Sequence, residues 1–341
     1  HKHYVPVLKG KRGEFPAIQH ITNKAGVTPL IEHVPTQVAD FVPSKMDSVW
    51  PHELPYFIDM VFADDEDSPA EAADTHPITV AFAAAASQHA IPVTGPTRSP
   101  AYQEAVRKIV ASQRRGYAVR LLVEDFEDDE AMAAWIDAIL DFMEVSIGEV
   151  DLIVDLDSVA GQPAAVVSRE CLTLLSMVPR LSEWRTTTVV GAAFPAGLSP
   201  LARGWNTLPR NDWLGWNGVI SRPRTLTRLP TYGDYAISSP DLPPSGRATI
   251  LAQLRYTTPD EFLVYKGSNV FAHPRKFHQF YDICALLVAR PEFRGANFSF
   301  GDGLIAAKAA NQGSSGSAET WRTIGVSHHV ETVLDQIANL P

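Results

Sequence analysis

Short runs of apolar and β-branched residues recur along the chain, and segments long enough for a helix separate them. Such runs predict strands, and apolar residues at helical spacing predict the helices between them. Strands are predicted over Tyr4–Gly10, Val27–His33, Tyr56–Phe62, Ala90–Gly95, Ala118–Glu124, Asp151–Asp157, Thr186–Phe194 and Tyr232–Ile237, the last with a rival in Gly218–Ser221. Helices are predicted over Pro77–His89, Pro100–Arg115, Asp128–Glu144 and Ala164–Val178.

Alternating strands and crossover helices indicate an α/β protein with parallel strands. Eight such units predict a (β/α)₈ TIM-type barrel. A doubly wound open sheet is the alternative, but no GxGxxG motif follows the first strand, which weakens a dinucleotide-binding version of it.

The rest of the chain departs from this repeat. Two alternating runs, residues 252–258 and 261–267, flank a Pro-Asp turn and predict a β-hairpin. Helices over Pro274–Arg290 and Val330–Leu340 are predicted on either side of a polar loop, Asn311–Ser317. The Trp-, Pro- and Arg-rich segment Asn206–Pro244 is interpreted as long loops over the barrel mouth. One domain, residues 1–341, is expected, with the barrel over about 4–245 and the extension over about 246–341.

Composition narrows the class of protein. The 341 residues carry a net charge of −10, which argues against a broad phosphate-binding face and makes a nucleic-acid partner unexpected. Two distant cysteines, Cys171 and Cys284, are typical of a reducing compartment. The longest apolar run, Ile78–Ala86, is far shorter than the roughly 20 residues that span a bilayer. A cytoplasmic protein without a membrane contact is therefore expected.

Charged residues end several predicted strands, and in a parallel barrel these ends meet at one mouth. Side chains alternate along a strand, so Asp151, Asp155 and Asp157 share the inward face of the sixth strand. The same alternation groups Arg120 with Glu124 on the fifth. The catalytic candidates at this mouth are Lys9, Glu32, Asp59, Glu124, Asp155 and Asp234, and the anion-binding candidates are Lys11, Arg120 and Lys266.

Two interpretations of this mouth stay open. The carboxylates can form a site for acid–base work or for a hard cation such as Mg²⁺. Alternatively, Lys9, Arg120 and Lys266 neutralise the carboxylates in an internal ion-pair network. No metal ligand set and no cofactor are predicted, since an HExxH motif is absent and Mg²⁺ has no further support.

Aromatic and basic residues mark a second candidate surface. Trp205, Trp213, Trp216 and Arg222 are predicted to contact a partner, because protein interfaces favour Trp and Arg. The pair His328-His329, taken as strand residues, would point to opposite faces and is a poor metal site. The run Asp64–Asp67 is interpreted as a solvated loop.

The opening segment Tyr4–Glu14 resembles the start of the beta protein family, named for the beta protein of a satellite phage. Five later segments fit the same pattern, namely Thr28–Glu32, Tyr56–Asp59, Ile91–Thr94, Tyr232–Ala236 and Thr320–His329. Positions that match it include Lys9, Lys11, Glu14, Glu32, Asp59 and Asp234. The resemblance implies a bacterial or prophage-borne cytosolic protein that counteracts a killing protein encoded beside it, and it carries over no catalytic residues.

Two hypotheses follow from these observations. In the first, the chain belongs to a phage-defence or toxin-neutralising system and binds a protein encoded by a neighbouring gene. In the second, it is a hydrolase- or lyase-like enzyme that uses the acidic mouth on a small polar or phosphorylated substrate, by analogy with other barrels. Nucleic-acid binding is the least favoured alternative, because the chain is acidic.

Overall fold

Eight parallel strands close into a barrel, in which the first strand pairs with both the second and the last. This computed structural model describes residues 2–9, 15–21, 24–32, 46, 49–51, 53–64, 90–241 and 251–340. The barrel strands are β1 (Tyr4–Lys9), β2 (Leu30–Glu32), β3 (Tyr56–Asp59), β4 (Ala90–Thr94), β5 (Tyr117–Leu122), β6 (Val150–Ser158), β7 (Thr186–Ala192) and β9 (Thr231–Asp234). The predicted (β/α)₈ barrel is confirmed, and each of the eight runs overlaps one strand.

Helices cover the outside of the barrel and the extension. Those that lie wholly in the described residues are α1 (Phe15–Gln19), α2 (Pro100–Gln113), α3 (Asp129–Met143), α4 (Ala164–Met177), α5 (Asn211–Ile220), α6 (Gln279–Val288), α7 (Phe300–Ala309) and α8 (Ala318–Ala338). Local capping sets the start of α2 and α3, since the side chains of Ser99 and Asp128 accept hydrogen bonds from backbone amides one turn later. The three predicted helices that become α2, α3 and α4 are confirmed, whereas Pro77–His89 lies outside the described residues.

The alternation of side chains along each strand sorts the barrel residues into two cores. Inward positions form an apolar middle layer that includes Val7, Leu30, Val93 and Ile153. Outward positions join a larger cluster with the helices. Polar inward residues are confined to the two ends of the barrel axis. The barrel therefore has one polar end at the carboxyl ends of the strands and another at their amino ends.

The segment 206–244, interpreted as long loops, contains regular elements in its described part, so that interpretation was wrong in part. It contains most of β8 (Gly204–Pro209), all of α5 and all of β9. The rival eighth strand, Gly218–Ser221, is the end of α5. This helix packs closely on α4 through a glycine, because a Cβ at Gly215 would lie 2.6 Å from Cγ1 of Val167.

The predicted C-terminal hairpin and helices are confirmed. Strands β10 (Leu251–Thr257) and β11 (Glu261–Asn269) form the hairpin, and β8 adds to it in the antiparallel order β10-β11-β8. Phe262 and Val264 of this sheet join the barrel's outer core. Leu254 and Tyr256 instead join a second cluster with α6 and α7. The sheet is thus a layer between the barrel and the last helices.

The last helix, α8, returns to the barrel. It packs against α1, β1 and β10, and it begins twelve residues before the start that was predicted at Val330. The expected helix over Pro274–Arg290 is α6 preceded by one 3₁₀ turn, Lys276–His278. The predicted one-domain organisation and its boundary near residue 245 stay predictions. Among the described residues, no helix combines the length and the apolar character that a membrane crossing requires.

Candidate functional site

A buried arginine lies at the centre of the polar end formed by the carboxyl ends of the strands. Arg120 has an inward position on β5, and its guanidinium contacts carboxylates from three other strands. Its Nη1 donates to Oδ2 of Asp59 at 2.8 Å, and its Nη2 donates to Oε1 of Glu32 at 2.9 Å. Both Nε (2.9 Å) and Nη2 (2.6 Å) donate to Oδ2 of Asp155. One guanidinium therefore joins β2, β3 and β6 across the barrel. We call Arg120, Glu32, Asp59 and Asp155 the mouth cluster.

A second arginine stabilises one of these carboxylates. Arg98, which follows β4, donates from Nη2 to both oxygens of Asp59 at 3.1 and 3.3 Å. The Tyr102 hydroxyl and the backbone amide of Val61 also donate to this carboxylate. Burial opposes the ionisation of Asp59, but Arg98 and Arg120 outweigh it and hold its pKa below the ordinary value. Asp59 is therefore an ionised structural anion.

Glu32 has the opposite character. Its Oε1 bonds to Arg120, whereas its Oε2 is buried and makes no hydrogen bond within the described part of the chain. Burial raises the pKa of Glu32, with Arg120 opposing that rise. Two carboxyl groups on one arginine thus have pKa values that are displaced in opposite directions. This arrangement is typical of an acid–base pair, in which one group holds a proton and its neighbour stays charged.

A tyrosine completes the mouth cluster's hydrogen bonds. The Tyr235 hydroxyl donates to Oδ2 of Asp155 at 2.6 Å and lies 2.5 Å from Nη2 of Arg120. Burial raises the pKa of this phenol well above its ordinary range, so it serves as a neutral donor. Asp155 also accepts from the amide of Asp157 at 2.9 Å. Sequence reasoning missed Tyr235 and Arg98, although strand alternation around Asp234 and the position of Arg98 just after a strand were signals for both.

Lys9 bonds chiefly to backbone at this end of the barrel. Its ammonium donates to the carbonyls of Ser239, Pro240 and Asp241, which follow β9. Lys9 therefore ties the segment after β9 to the end of β1. Glu124 lies exposed in a 3₁₀ turn that begins just after β5, at the rim rather than within the cluster. Lys11 lies outside the described residues.

Two of the candidates lie away from the mouth, and these placements correct the prediction. Asp234 points outward from β9, because Tyr235 takes the inward position at the strand end. Lys266 belongs to β11 and donates to the carbonyls of Ser199 and Leu201, so it cannot neutralise the mouth carboxylates. Asp151 does point inward, but at the opposite end of the barrel, where Arg185 pairs with it at 2.6 Å.

Asp234 instead connects the barrel to α8. His329 approaches Oδ2 of Asp234 at 2.8 Å through Nε2, and the Tyr4 hydroxyl donates to Oδ1 at 2.6 Å. His329 Nδ1 meets the Thr257 hydroxyl at 2.9 Å. Burial lowers the pKa of His329, so the ring is neutral and donates to Asp234 while accepting from Thr257. Burial also raises the pKa of the nearby Asp212 to about 7.

The adjacent histidines therefore have separate structural partners. They lie on a helix rather than the predicted strand, and His328 bonds to Asp302 at 2.7 Å. In the described part of the chain, no group of three or more His, Cys, Asp or Glu residues is arranged to hold a metal ion. At the mouth, the Arg120 guanidinium occupies the position between the carboxylates that a cation would take.

The structure places the predicted partner-binding residues in different environments. Trp213 and Trp216 are buried, 3% and 1% exposed, and pack against Tyr232, so neither can contact a partner. Trp205 is half-buried on β8, edge-on to Tyr265. Arg222 is exposed in the turn after α5.

One protein-family model matches nearly the whole chain. A model described as "Beta protein" matches residues 4–335, from β1 into α8. The chain belongs to the beta protein family. The matched range includes every strand that carries a residue of the mouth cluster, together with the three-stranded sheet. A search among curated proteins finds no match.

Proposed function

We propose that this beta-family protein is an enzyme that uses the mouth cluster for acid–base chemistry on a small polar or phosphorylated substrate. The observation that carries the proposal is Glu32, a buried carboxyl with a raised pKa and one oxygen without a partner in the described residues. Its position supports the proposal, because enzymes with this fold use the carboxyl ends of the strands.

Energetics also favour a functional origin of the cluster. Buried ion pairs contribute little net stability, since desolvation of the charges offsets their attraction. A barrel filled with apolar layers at this end would be at least as stable. The side chains of Asp59, Asp155 and Arg120 are nevertheless 0%, 0% and 6% exposed. The burial of these charges is explained if they orient Glu32 for proton transfer.

In the proposed mechanism, Glu32 donates a proton to the leaving group of a hydrolysis or an elimination. Arg120 is a positioning residue, because it holds Oε1 of Glu32 while Oε2 makes no hydrogen bond within the described residues. Asp59 and Arg98 keep the guanidinium in place. General acid catalysis of this kind contributes about 10²–10⁴-fold to a rate.

The test is a comparison of wild type with Glu32→Gln in a small-molecule extract of bacterial cells, followed by mass spectrometry. Wild type should deplete at least one polar or phosphorylated compound, and Glu32→Gln should deplete it about 10²-fold or more slowly. Glu104→Gln is the matched control, since Glu104 forms only a surface pair with Arg107 on α2. Absence of depletion by wild type, or equal rates in Glu32→Gln of unchanged melting temperature, would contradict the proposal.

A second candidate function is the binding of a protein encoded by a neighbouring gene, in a toxin-neutralising or phage-defence role. It is favoured by an aromatic surface on the extension, where Phe271 is 68% exposed and packs edge-on against Phe277. Exposed aromatic side chains are common anchors of protein interfaces. Trp205 and Tyr265 pack against the same extension core.

Co-expression with the neighbouring gene's product tests this role. Wild type should co-purify with it, and Phe271→Ser should not. Phe142→Ser is the matched control, because Phe142 is 43% exposed on α3, away from the extension. A complex that survives in Phe271→Ser, or no complex with wild type, would count against partner binding at this surface.

A further inference from the structure

A cavity of ≈ 460 Å³ lies at the end of the barrel opposite the mouth cluster. Its volume is within the range of small-molecule sites, about 300–1,000 Å³. It is lined at the amino ends of the strands by residues that include His3, Phe57, Ile91, Arg115, Asp151 and Arg185. Nothing in the mouth cluster's chemistry uses these residues.

The cavity exists because small residues take the inward positions here. Barrels of this type are normally filled by layers of bulky branched side chains. At this end, four of the inward residues are threonines: Thr28, Thr186, Thr188 and Thr231. The hydroxyls of Thr188 and Thr231 bond to each other at 2.8 Å, so they need no ligand. Phe57 and Ile91 supply the larger apolar surface.

The charges around the cavity do not cancel. Arg185 donates to both oxygens of Asp151 at 3.0 and 2.6 Å, and these two charges neutralise each other. His3 bonds to the Thr28 hydroxyl, and burial lowers its pKa, so it adds no charge near neutral pH. The Arg115 side chain forms no ion pair or hydrogen bond with the residues that the structure describes. Within the described part of the chain, one positive charge on the cavity wall is therefore left uncompensated.

We propose that this cavity binds a small amphipathic anion whose single negative charge pairs with Arg115 and whose apolar body lies against Phe57 and Ile91. Charge complementarity selects an anion over a neutral or cationic ligand. The apolar wall and the volume select a compact hydrocarbon or aromatic body over a sugar. The site is at the other end of the barrel axis from Glu32 and Arg120, so its test is independent of the enzymatic proposal.

Octanoate is the probe, and 1-octanol is its uncharged counterpart of the same length. Isothermal titration calorimetry on the full chain should show octanoate binding to wild type more tightly than octanol. Arg115→Met should weaken octanoate about tenfold or more, because it removes a charge-assisted contact, and should leave octanol unchanged. Arg114→Met is the matched control, since Arg114 is the exposed neighbour and does not line the cavity.

A second variant locates the site. Thr186 is exposed at the cavity rim, so Thr186→Trp should obstruct the cavity and abolish binding of both probes without overfilling the core. Melting temperatures of all variants show whether each is folded. The proposal is overturned if folded Arg115→Met binds octanoate as wild type does, or if octanoate still binds to folded Thr186→Trp. It is also overturned if wild type does not prefer octanoate to octanol.

Discussion

Removal of the central arginine should destabilise the barrel in a strongly pH-dependent way. Arg120→Met keeps much of the side-chain volume but removes every guanidinium bond to the mouth carboxylates. Two of these keep other partners, since Asp59 retains Arg98, and Asp155 retains the Tyr235 hydroxyl. Glu32 alone loses its hydrogen-bond donor, and among the described cations it keeps the electrostatic attraction of Lys9. Loss of Arg120 therefore makes ionisation of the buried Glu32 carboxyl more costly, and we expect a loss of about 3–5 kcal/mol in the free energy of unfolding at pH 7.

The sign of the pH dependence follows from proton binding. Without Arg120, Glu32 holds its proton in the folded state and loses it in the unfolded state above pH of about 4.3. The folded variant then binds more protons, so its free energy of unfolding falls as pH rises, by about 1.4 kcal/mol per pH unit for one such group. The cost of Arg120→Met relative to wild type should therefore be smaller at pH 5 than at pH 8.

Urea titrations followed by circular dichroism at pH 5, 6, 7 and 8 measure this cost. Arg180→Met is the control, because its pair with Asp137 is exposed and should contribute about 1 kcal/mol or less. The double variant Arg120→Met/Glu32→Gln should recover most of the loss, since the lone carboxyl becomes a neutral amide. The reasoning is refuted if Arg120→Met costs less than the control, if its cost is the same at pH 5 and pH 8, or if the double variant recovers nothing.

Three further outcomes are expected. Wild-type free energy of unfolding should fall on acidification below about pH 4. The cause is that the pKa of Asp59 is lower in the folded state than in the unfolded state. The stabilisation by its carboxylate is complete above the unfolded-state pKa and is lost as pH falls through the folded-state pKa. Asp59→Asn should therefore reduce this acid-dependent loss in a series of urea titrations. His329→Ala should cost about 3–5 kcal/mol by leaving Asp234 without its ring donor, and hydrogen exchange in α8 should accelerate. Gly215→Ala should cost about 1–3 kcal/mol, measured as a lower melting temperature, because its new methyl meets Val167 at 2.6 Å.

The barrel was predictable because its strands follow simple rules. Buried parallel strands are short apolar runs, and the alternation within them placed Arg120 and Asp155 on inward faces. Glu32 and Asp59 were assigned to the same mouth by their positions on the second and third strands. The same alternation fails where a strand is short. β9 has only four residues, and its outward Asp234 was taken for a mouth residue although Tyr235 is the inward one.

The errors share a cause in contacts between distant parts of the chain. β8 carries no strong apolar alternation, and it is ordered by pairing with β11, as in the contact of Leu208 with Phe262. Trp213 and Trp216 suggested a binding surface by composition, but Tyr232 and neighbouring helices bury them. Lys266 was predicted for the mouth by charge alone, whereas the hairpin that contains it lies outside the barrel. Local sequence does not encode such contacts.

The pairing of β1 with β9 joins two parts of the chain that are synthesised far apart in time. The hydroxyl of Tyr4 reaches Asp234 across 230 residues, which a ribosome adds in roughly 10–50 s. The histidine of α8 that bonds to Asp234 follows 95 residues later still. Until β9 has been synthesised, the edge of β1 that pairs with it stays unpaired, which is a hazard for aggregation. Translation speed and chaperone capture during synthesis should therefore govern the yield of native protein more strongly than its equilibrium stability does.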